Sequence, residues 1–362
     1  MPHLRHLTAL LLCLGTFTPS NAVESLAETF RPHFPIGAAV LPPEGMTAGE
    51  RHLLATQFAT VTPENCMKPE LLQPTEGHWR FGPADALVAQ AAAAGQTVNG
   101  HTLVWHQQCP PWFFVQDGKP AGRDLVRQRL RTHIATVAGH FAGRLASWDV
   151  VNEAIDDGPA DLRPSPWLKA IGPEFLPEAF LAARAADPQA ALYYNDYNIE
   201  QPAKRDKTLR LIRSLKAAKA PLDGIGIQGH WPLDRVPYDH IEAAILAFHA
   251  EGLRVAITEL DIDVVPHAQG GADLAQRDTA TADPFATGLP ADVQQRLADQ
   301  YARLFALFVK HRDKIARVTF WGLHDGRTWL NTWPRKRTNH PLLWDRDLQP
   351  KPALAAVLGV AR

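Results

Sequence analysis

Two glutamates, Glu153 and Glu259, each end a short apolar run, and their neighbours differ in a way that bears on chemistry. Glu259 has Asp261 two residues on, and His230 follows the apolar run that precedes it. An imidazole and a second carboxylate can orient Glu259 and hold it ionised, which suits a nucleophile. Glu153 follows Asn152 and lies beyond the aromatic Trp148. A partly apolar setting raises a carboxyl pKa and suits a proton donor. Two opposed carboxyl groups with diverging pKa values are the general machinery of glycosidic cleavage: one protonates the departing oxygen, the other attacks or activates water. A separation of about 5 Å goes with retention of configuration and a larger gap with inversion, a distance no sequence supplies.

Such side chains need a frame that brings them together. Eight short apolar runs, at 36–40, 59–62, 97–100, 145–151, 191–194, 225–228, 255–258 and 318–321, read as buried strands. Stretches of helical period lie between them at 84–95, 124–144, 175–186, 203–220, 238–252 and 293–314. Alternating strand and helix with nearly continuous apolar strands implies a parallel sheet, and eight units in one undivided chain imply an α/β fold of the single (β/α)8 TIM-barrel type. An open doubly wound sheet is the alternative, but no phosphate-cradling glycine loop follows the first run. In a barrel the C-terminal strand ends converge. Here they carry Glu64 and Asn65, His101, Asn152 and Glu153, Asn195 to Asn198 with Tyr197 among them, Gln228 and His230, Glu259 and Asp261, and His324 and Asp325. These describe one polar pocket over an apolar floor.

Composition agrees with a large globular core: hydrophobic residues make up 46% and charged residues 21% of 362 residues. With 37 basic and 38 acidic side chains the net charge is −1, which argues against a nucleic-acid groove. Residues 1–22 combine His3, Arg5 and His6, an apolar stretch and the small-residue site Ser20-Asn21-Ala22. They read as a signal peptide, leaving 23–362 as the catalytic barrel, exported to the periplasm or the outside of the cell and free of the membrane once the signal is removed. Cys66 and Cys109 remain in the mature chain and could pair.

The ten tryptophans are the excess in this composition. Trp105, Trp112, Trp231, Trp321, Trp329 and Trp333 fall in or just after rim segments, whereas Trp79, Trp148, Trp167 and Trp344 read as packing residues. Sugars present apolar C–H faces edged by hydroxyls, so flat indoles together with Glu64, Asn65, Lys68, His101, Asn152 and Gln228 suit a neutral carbohydrate chain.

At this point the residues reach a known family. Thr62-Pro63-Glu64-Asn65-Cys66-Met67-Lys68, His101-Thr102-Leu103-Val104-Trp105-His106, Trp148-Asp149-Val150-Val151-Asn152-Glu153-Ala154, Ile257-Thr258-Glu259-Leu260-Asp261 and Gln349-Pro350-Lys351-Pro352 resemble, in this order, the endo-β-1,4-xylanases of glycoside hydrolase family 10. The resemblance implies a TIM barrel that hydrolyses internal xylan bonds with retention and needs no cofactor or metal. It also implies Glu153 as acid/base and Glu259 as nucleophile, with His230 and Asp261 in support. Glu64, Asn65, Lys68, His101, Trp105, Gln228, Trp321 and Trp329 resemble the contacts to sugars on the non-reducing side. Asn152 would bond the adjacent 2-hydroxyl and Tyr197 would stack on the leaving side. Xylan and xylo-oligosaccharides are the expected partners of a chain acting as a monomer. Pro69, Trp231 and His324 depart from the family's common residues, which affects subsite shape. The 264–289 segment is long enough for a lid or a spacer.

Two other classes compete. A metal-dependent hydrolase could use His101, His106, His230 and His324 with Asp261 or Asp325, although no close-spaced His pair accompanies them. A sugar-binding barrel without catalysis is the other, and the presence of both glutamates gives it no support.

Overall fold

Continuous apolar runs can be buried on both faces only inside a layered parallel sheet, and here that sheet closes on itself. The computed structural model describes residues 24–265, 272–273 and 281–362. Its barrel strands are β1 Ile36–Val40, β2 Thr60–Pro63, β3 Thr97–Val104, β4 Ser147–Asn152, β5 Ala191–Asp196, β6 Gly224–Ile227, β7 Arg254–Asp263 and β8 Ile315–Phe320. Each pairs in parallel with the next. β8 returns to β1 with Ile36 opposite Val318, which completes the (β/α)8 barrel.

The surrounding helices are α1 Ala48–Gln57, α2 Gly82–Ala93, α3 Arg123–His140, α4 Phe175–Ala186, α5 Pro202–Ala217, α6 Tyr238–Ala250, α7 Ala291–Lys310 and α8 Pro352–Val360. α7 shows why they dock: Val293, Leu297, Tyr301, Leu304, Phe305 and Phe308 recur at helical spacing and are buried. Below it Phe305 meets Phe30 edge-on at 5.1 Å and stacks near Phe320 at 5.9 Å, joining the short helix Leu26–Phe30 to the barrel wall.

Six helices and eight strands lie where the periodicity places them, with shifted ends. α1 and α8 escaped the pattern. α1 is short, with only Leu53 and Leu54 as buried apolar residues, so its local signal is the capping box of Thr47 and Glu50. β8 starts three residues before the expected run because Arg317 interrupts the apolar pattern. Its guanidinium is buried inside the barrel, 3.7 Å from Asp149 Oδ1 and 4.9 Å from the ring of Tyr193. β7 runs on to Asp263 because its far half gains a second partner, His230–Pro232.

The proposed signal segment 1–22 lies outside the described residues, as does half of the 264–289 segment read as a lid or spacer. No helix among the described residues is long and apolar enough to cross a membrane. Cys66 and Cys109 are both free thiols rather than a bridge, and burial pushes Cys66 up to about 12.

Candidate active site

The pocket sits where the strands end. A cavity of about 120 Å³ at the C-terminal mouth is lined by Glu64, Asn65, Lys68, His101, Trp105, Gln108, Asn152, Glu153, Gln228, His230, Glu259, Ala272, Trp321 and Trp329. Most of the expected site residues therefore meet in one place.

Strand geometry sets the Glu259 side. Residues two apart on a strand face the same way, so Glu259 and Asp261 point to one side of β7. His230 is the register partner of Asp261. The chain reaches it through Gly229, whose φ of +88° belongs to the region glycine adopts without strain. The imidazole then bridges two carboxylates, with Nδ1 2.9 Å from Asp261 Oδ1 and Nε2 3.2 Å from Glu259 Oε2. Burial disfavours the imidazolium, but the adjacent Asp261 and Glu259 outweigh it and lift His230 to about 10. Trp329 Nε1 donates to the other oxygen of Asp261 at 2.8 Å and fixes this support from above. For Glu259, burial pushes the pKa up; His230, His101 and a 2.7 Å hydrogen bond from Asn195 Nδ2 pull harder and leave it below its ordinary value.

Glu153 lies in a different field. It follows β4 with a φ of +57°, a left-handed conformation uncommon for a residue with a β-carbon. Its oxygens accept from Trp105 Nε1 at 2.7 Å, Gln228 Nε2 at 2.9 Å and Asn152 Nδ2 at 3.2 Å. These donors favour the ionised form, yet burial, the charge of Asp196 and that of Glu259 prevail and raise Glu153 to about 7. One amide couples the two sides: Asn195 Nδ2 donates both to Asn152 Oδ1, at 2.9 Å, and to Glu259 Oε1.

The rest of the pocket is polar and aromatic. Lys68 Nζ donates to Asn65 Oδ1 at 3.0 Å and Gln108 Oε1 at 2.8 Å and sits 5.0 Å from the Trp105 ring. His101 Nδ1 pairs with Asp149 Oδ2 at 3.0 Å, and its ring meets Trp321 edge-on at 5.2 Å. Burial raises the Glu64 carboxyl, opposed by the nearby Lys68.

Some expectations fail. Of the six tryptophans assigned to the rim, only Trp105, Trp321 and Trp329 line the pocket. Trp231 is 2% exposed and its Nε1 donates to Glu200 Oε1 at 3.1 Å, so it is a core residue. Trp333 is buried against Trp329 at 4.6 Å, and Trp112 stacks on Phe113 while donating to Gln73 O at 3.0 Å. Trp112 and Trp333 turn into the packing of their connections, and Trp231, in the short strand His230–Pro232, turns to Glu200. Tyr197 also lies outside the pocket lining. It is 3% exposed, its ring lies under the Lys204 ammonium at 3.7 Å, and its hydroxyl donates to Asp157. In this structure its ring offers no open face for stacking. His324 is buried and its Nε2 bonds Glu50 Oε1 at 2.9 Å, joining β8's loop to α1. Among the described residues no three His, Cys, Asp or Glu side chains gather to hold a metal ion.

Gln108 and Asp149 are site residues that sequence reasoning passed over, and Asn195, one of the polar residues at the end of the fifth apolar run, was given no role. For Asn195 the signal was its place beside the end of β5, opposite Asn152 at the end of β4, its register partner. Gln108, held at a φ of +42° in a loop, had none.

A (β/α)8 barrel whose mouth holds two buried, oppositely tuned carboxylates among indoles and amides is a glycosidase barrel in class. The sequence model of Glycosyl hydrolase family 10 matches residues 25–360. The chain belongs to glycosyl hydrolase family 10. It is 40% identical over 345 residues to an endo-1,4-beta-xylanase of Geobacillus stearothermophilus, covering 94% of this chain and 99% of that one. It is 40% identical over 313 residues to endo-1,4-beta-xylanase A of Xylanibacter ruminicola, covering 85% of each. The structure of a family 10 endoxylanase from a sugarcane soil metagenome superposes with a TM-score of 0.89 at 39% identity, covering 93% of this chain and all of that one.

Proposed function

We propose that this chain is an endo-β-1,4-xylanase that cleaves internal bonds of xylan with retention, Glu153 serving as acid/base and Glu259 as nucleophile. The observation that carries the assignment is the opposite tuning of the two carboxyls, one raised to about 7 and the other held below its ordinary value. At a pH between them Glu153 holds a proton and Glu259 does not. Glu259 attacks the anomeric carbon while the Glu153 proton passes to the departing glycosidic oxygen, giving a glycosyl ester and a free sugar hydroxyl. Water then attacks the anomeric carbon, its proton returns to Glu153, and the ester bond breaks to restore the Glu259 carboxylate.

His230 neutralises the support around Glu259 and fixes its rotamer. Trp105, Trp321 and Trp329 offer faces to sugar rings, and Lys68, Glu64, Asn65, His101 and Gln228 offer donors and acceptors to hydroxyls. Asn152, bonded to both Glu153 and Asn195, would hydrogen-bond the 2-hydroxyl of the sugar being transferred. A net charge of −1 is compatible with an uncharged polymer, which needs no steering field. The N-terminal pattern supports export.

The test is to follow the anomeric configuration and length of the first products from xylan by NMR and chromatography. Internal cleavage with β-anomers released first is expected; initial α-anomers, or no cleavage, overturn the assignment.

A further inference from the structure

Glu153 is a non-glycine residue at a φ of +57°, a conformation that costs about 1–2 kcal/mol and persists only where its surroundings over-determine it. The backbone around it is gripped at four points. Its N–H donates to Asn195 O at 2.9 Å, and its carbonyl accepts from Arg163 Nε at 3.1 Å. The N–H groups of the next two residues, Ala154 and Ile155, both donate to the hydroxyl oxygen of Tyr194, each at 3.0 Å. With both acceptor sites of that oxygen filled, its proton must point elsewhere, and it goes to Asp196 Oδ2 at 2.5 Å. Asp196 is itself fixed on its other oxygen by Lys204 Nζ and the Tyr197 N–H, both at 2.9 Å. Tyr194 and Asp196 are fully buried. None of these groups lines the pocket.

We propose that Tyr194, its hydroxyl aimed by Asp196, and Arg163 form a backbone grip that positions the Glu153 carboxyl for proton transfer. The inference rests on the reading of Glu153 as acid/base. Tyr194 and Arg163 are positioning residues that act only through Glu153. Without the phenol oxygen the Ala154 and Ile155 N–H groups lose their acceptor, and the turn relaxes toward the ordinary helical or extended regions. The carboxyl then moves off the line to the departing oxygen. A misplacement of about 1 Å is worth roughly a hundredfold in rate.

The experiment compares kcat/KM, which reports glycosyl-enzyme formation, for two aryl xylobiosides, one releasing phenol and one releasing dinitrophenol, in wild type, Glu153→Ala, Tyr194→Phe and Arg163→Lys. Phenol departs poorly without a proton and dinitrophenol does not need one. Tyr194→Phe and Arg163→Lys are expected to lose about tenfold to a hundredfold on the phenyl substrate and under about threefold on the dinitrophenyl one. A merely structural role would lower thermal stability and scale both substrates together. If Glu153→Ala shows no such split, the acid/base assignment itself fails. If Glu153→Ala shows it and Tyr194→Phe does not, the grip is refuted. Should Tyr194→Phe not fold, Arg163→Lys decides, and a wild-type ratio there overturns the proposal.

Discussion

Replacing Glu153 by Gln is expected to stabilise the protein at alkaline pH while abolishing its proton donor. In the folded chain Glu153 titrates at about 7 rather than 4.5. Between those values the folded state keeps a proton that the unfolded state has released, so stability falls as pH rises through this window. Below pH 4.5 both states are protonated and the penalty vanishes. At about 1.36 kcal/mol per pH unit, the ionised carboxylate costs the fold about 3 kcal/mol above pH 7. Gln keeps the shape and carries no charge. It can accept from Trp105 and donate to Gln228, whose Oε1 has no partner, but it faces the Asn152 amide with the wrong group. That loss is worth about 1 kcal/mol. The net gain is about 2 kcal/mol at pH 8, turning into a loss of about 1 kcal/mol at pH 4. With an unfolding entropy near 2.1 cal/mol/K per residue over roughly 340 residues, the gain corresponds to about 3 °C in Tm. Urea unfolding of both proteins at pH 4 and pH 8 gives the comparison directly, because other titrating groups are shared. The reasoning fails if the difference between variant and wild type moves by less than about 1 kcal/mol between the two pH values.

Other outcomes follow from the same geometry. The kcat/KM profile is expected to be a bell with its alkaline limb at about pH 7, from Glu153, and its acid limb below the usual glutamate range, from Glu259; an alkaline limb above pH 9 contradicts the assignment. Glu259→Gln is expected to cut xylan hydrolysis by more than about ten-thousandfold while xylotriose still binds by calorimetry, and EDTA is expected to leave wild-type activity intact; inactivation by the chelator restores the metal reading. Trp231→Phe removes the donor to buried Glu200 and is expected to destabilise by about 1–3 kcal/mol with the product profile unchanged; an altered profile would return Trp231 to the sugar-binding set.

What was legible in the sequence follows from local periodicity and from chain order. Continuous apolar runs such as 36–40 and 191–194 could only be buried strands, helical stretches such as 175–186 lay between them, and strand ends in a barrel must converge. That was enough to bring Glu153, Glu259, His230 and most of the pocket residues together. Side-chain direction beyond the strand ends was another matter. Trp231 and Trp329 both follow barrel-strand ends in the chain, yet Trp231, next to His230 in the short strand His230–Pro232, turns to Glu200, while Trp329 stands over Asp261 from a connection whose backbone has no long repeating period to fix direction. Arg317 concealed the start of β8 because its charge is compensated by Asp149, a residue on a different strand. The sequence by itself determined the barrel and the identity of the two carboxyls. The sense of their opposite tuning was also legible, from His230 and Asp261 near Glu259 and a partly apolar setting for Glu153. Only the tertiary structure decided which groups enforce it and set the left-handed turn at Glu153, since both depend on groups on other strands and loops, Asp196, Asn195, His230 and Arg163. Desolvation and charge act through space, over separations that chain order does not encode.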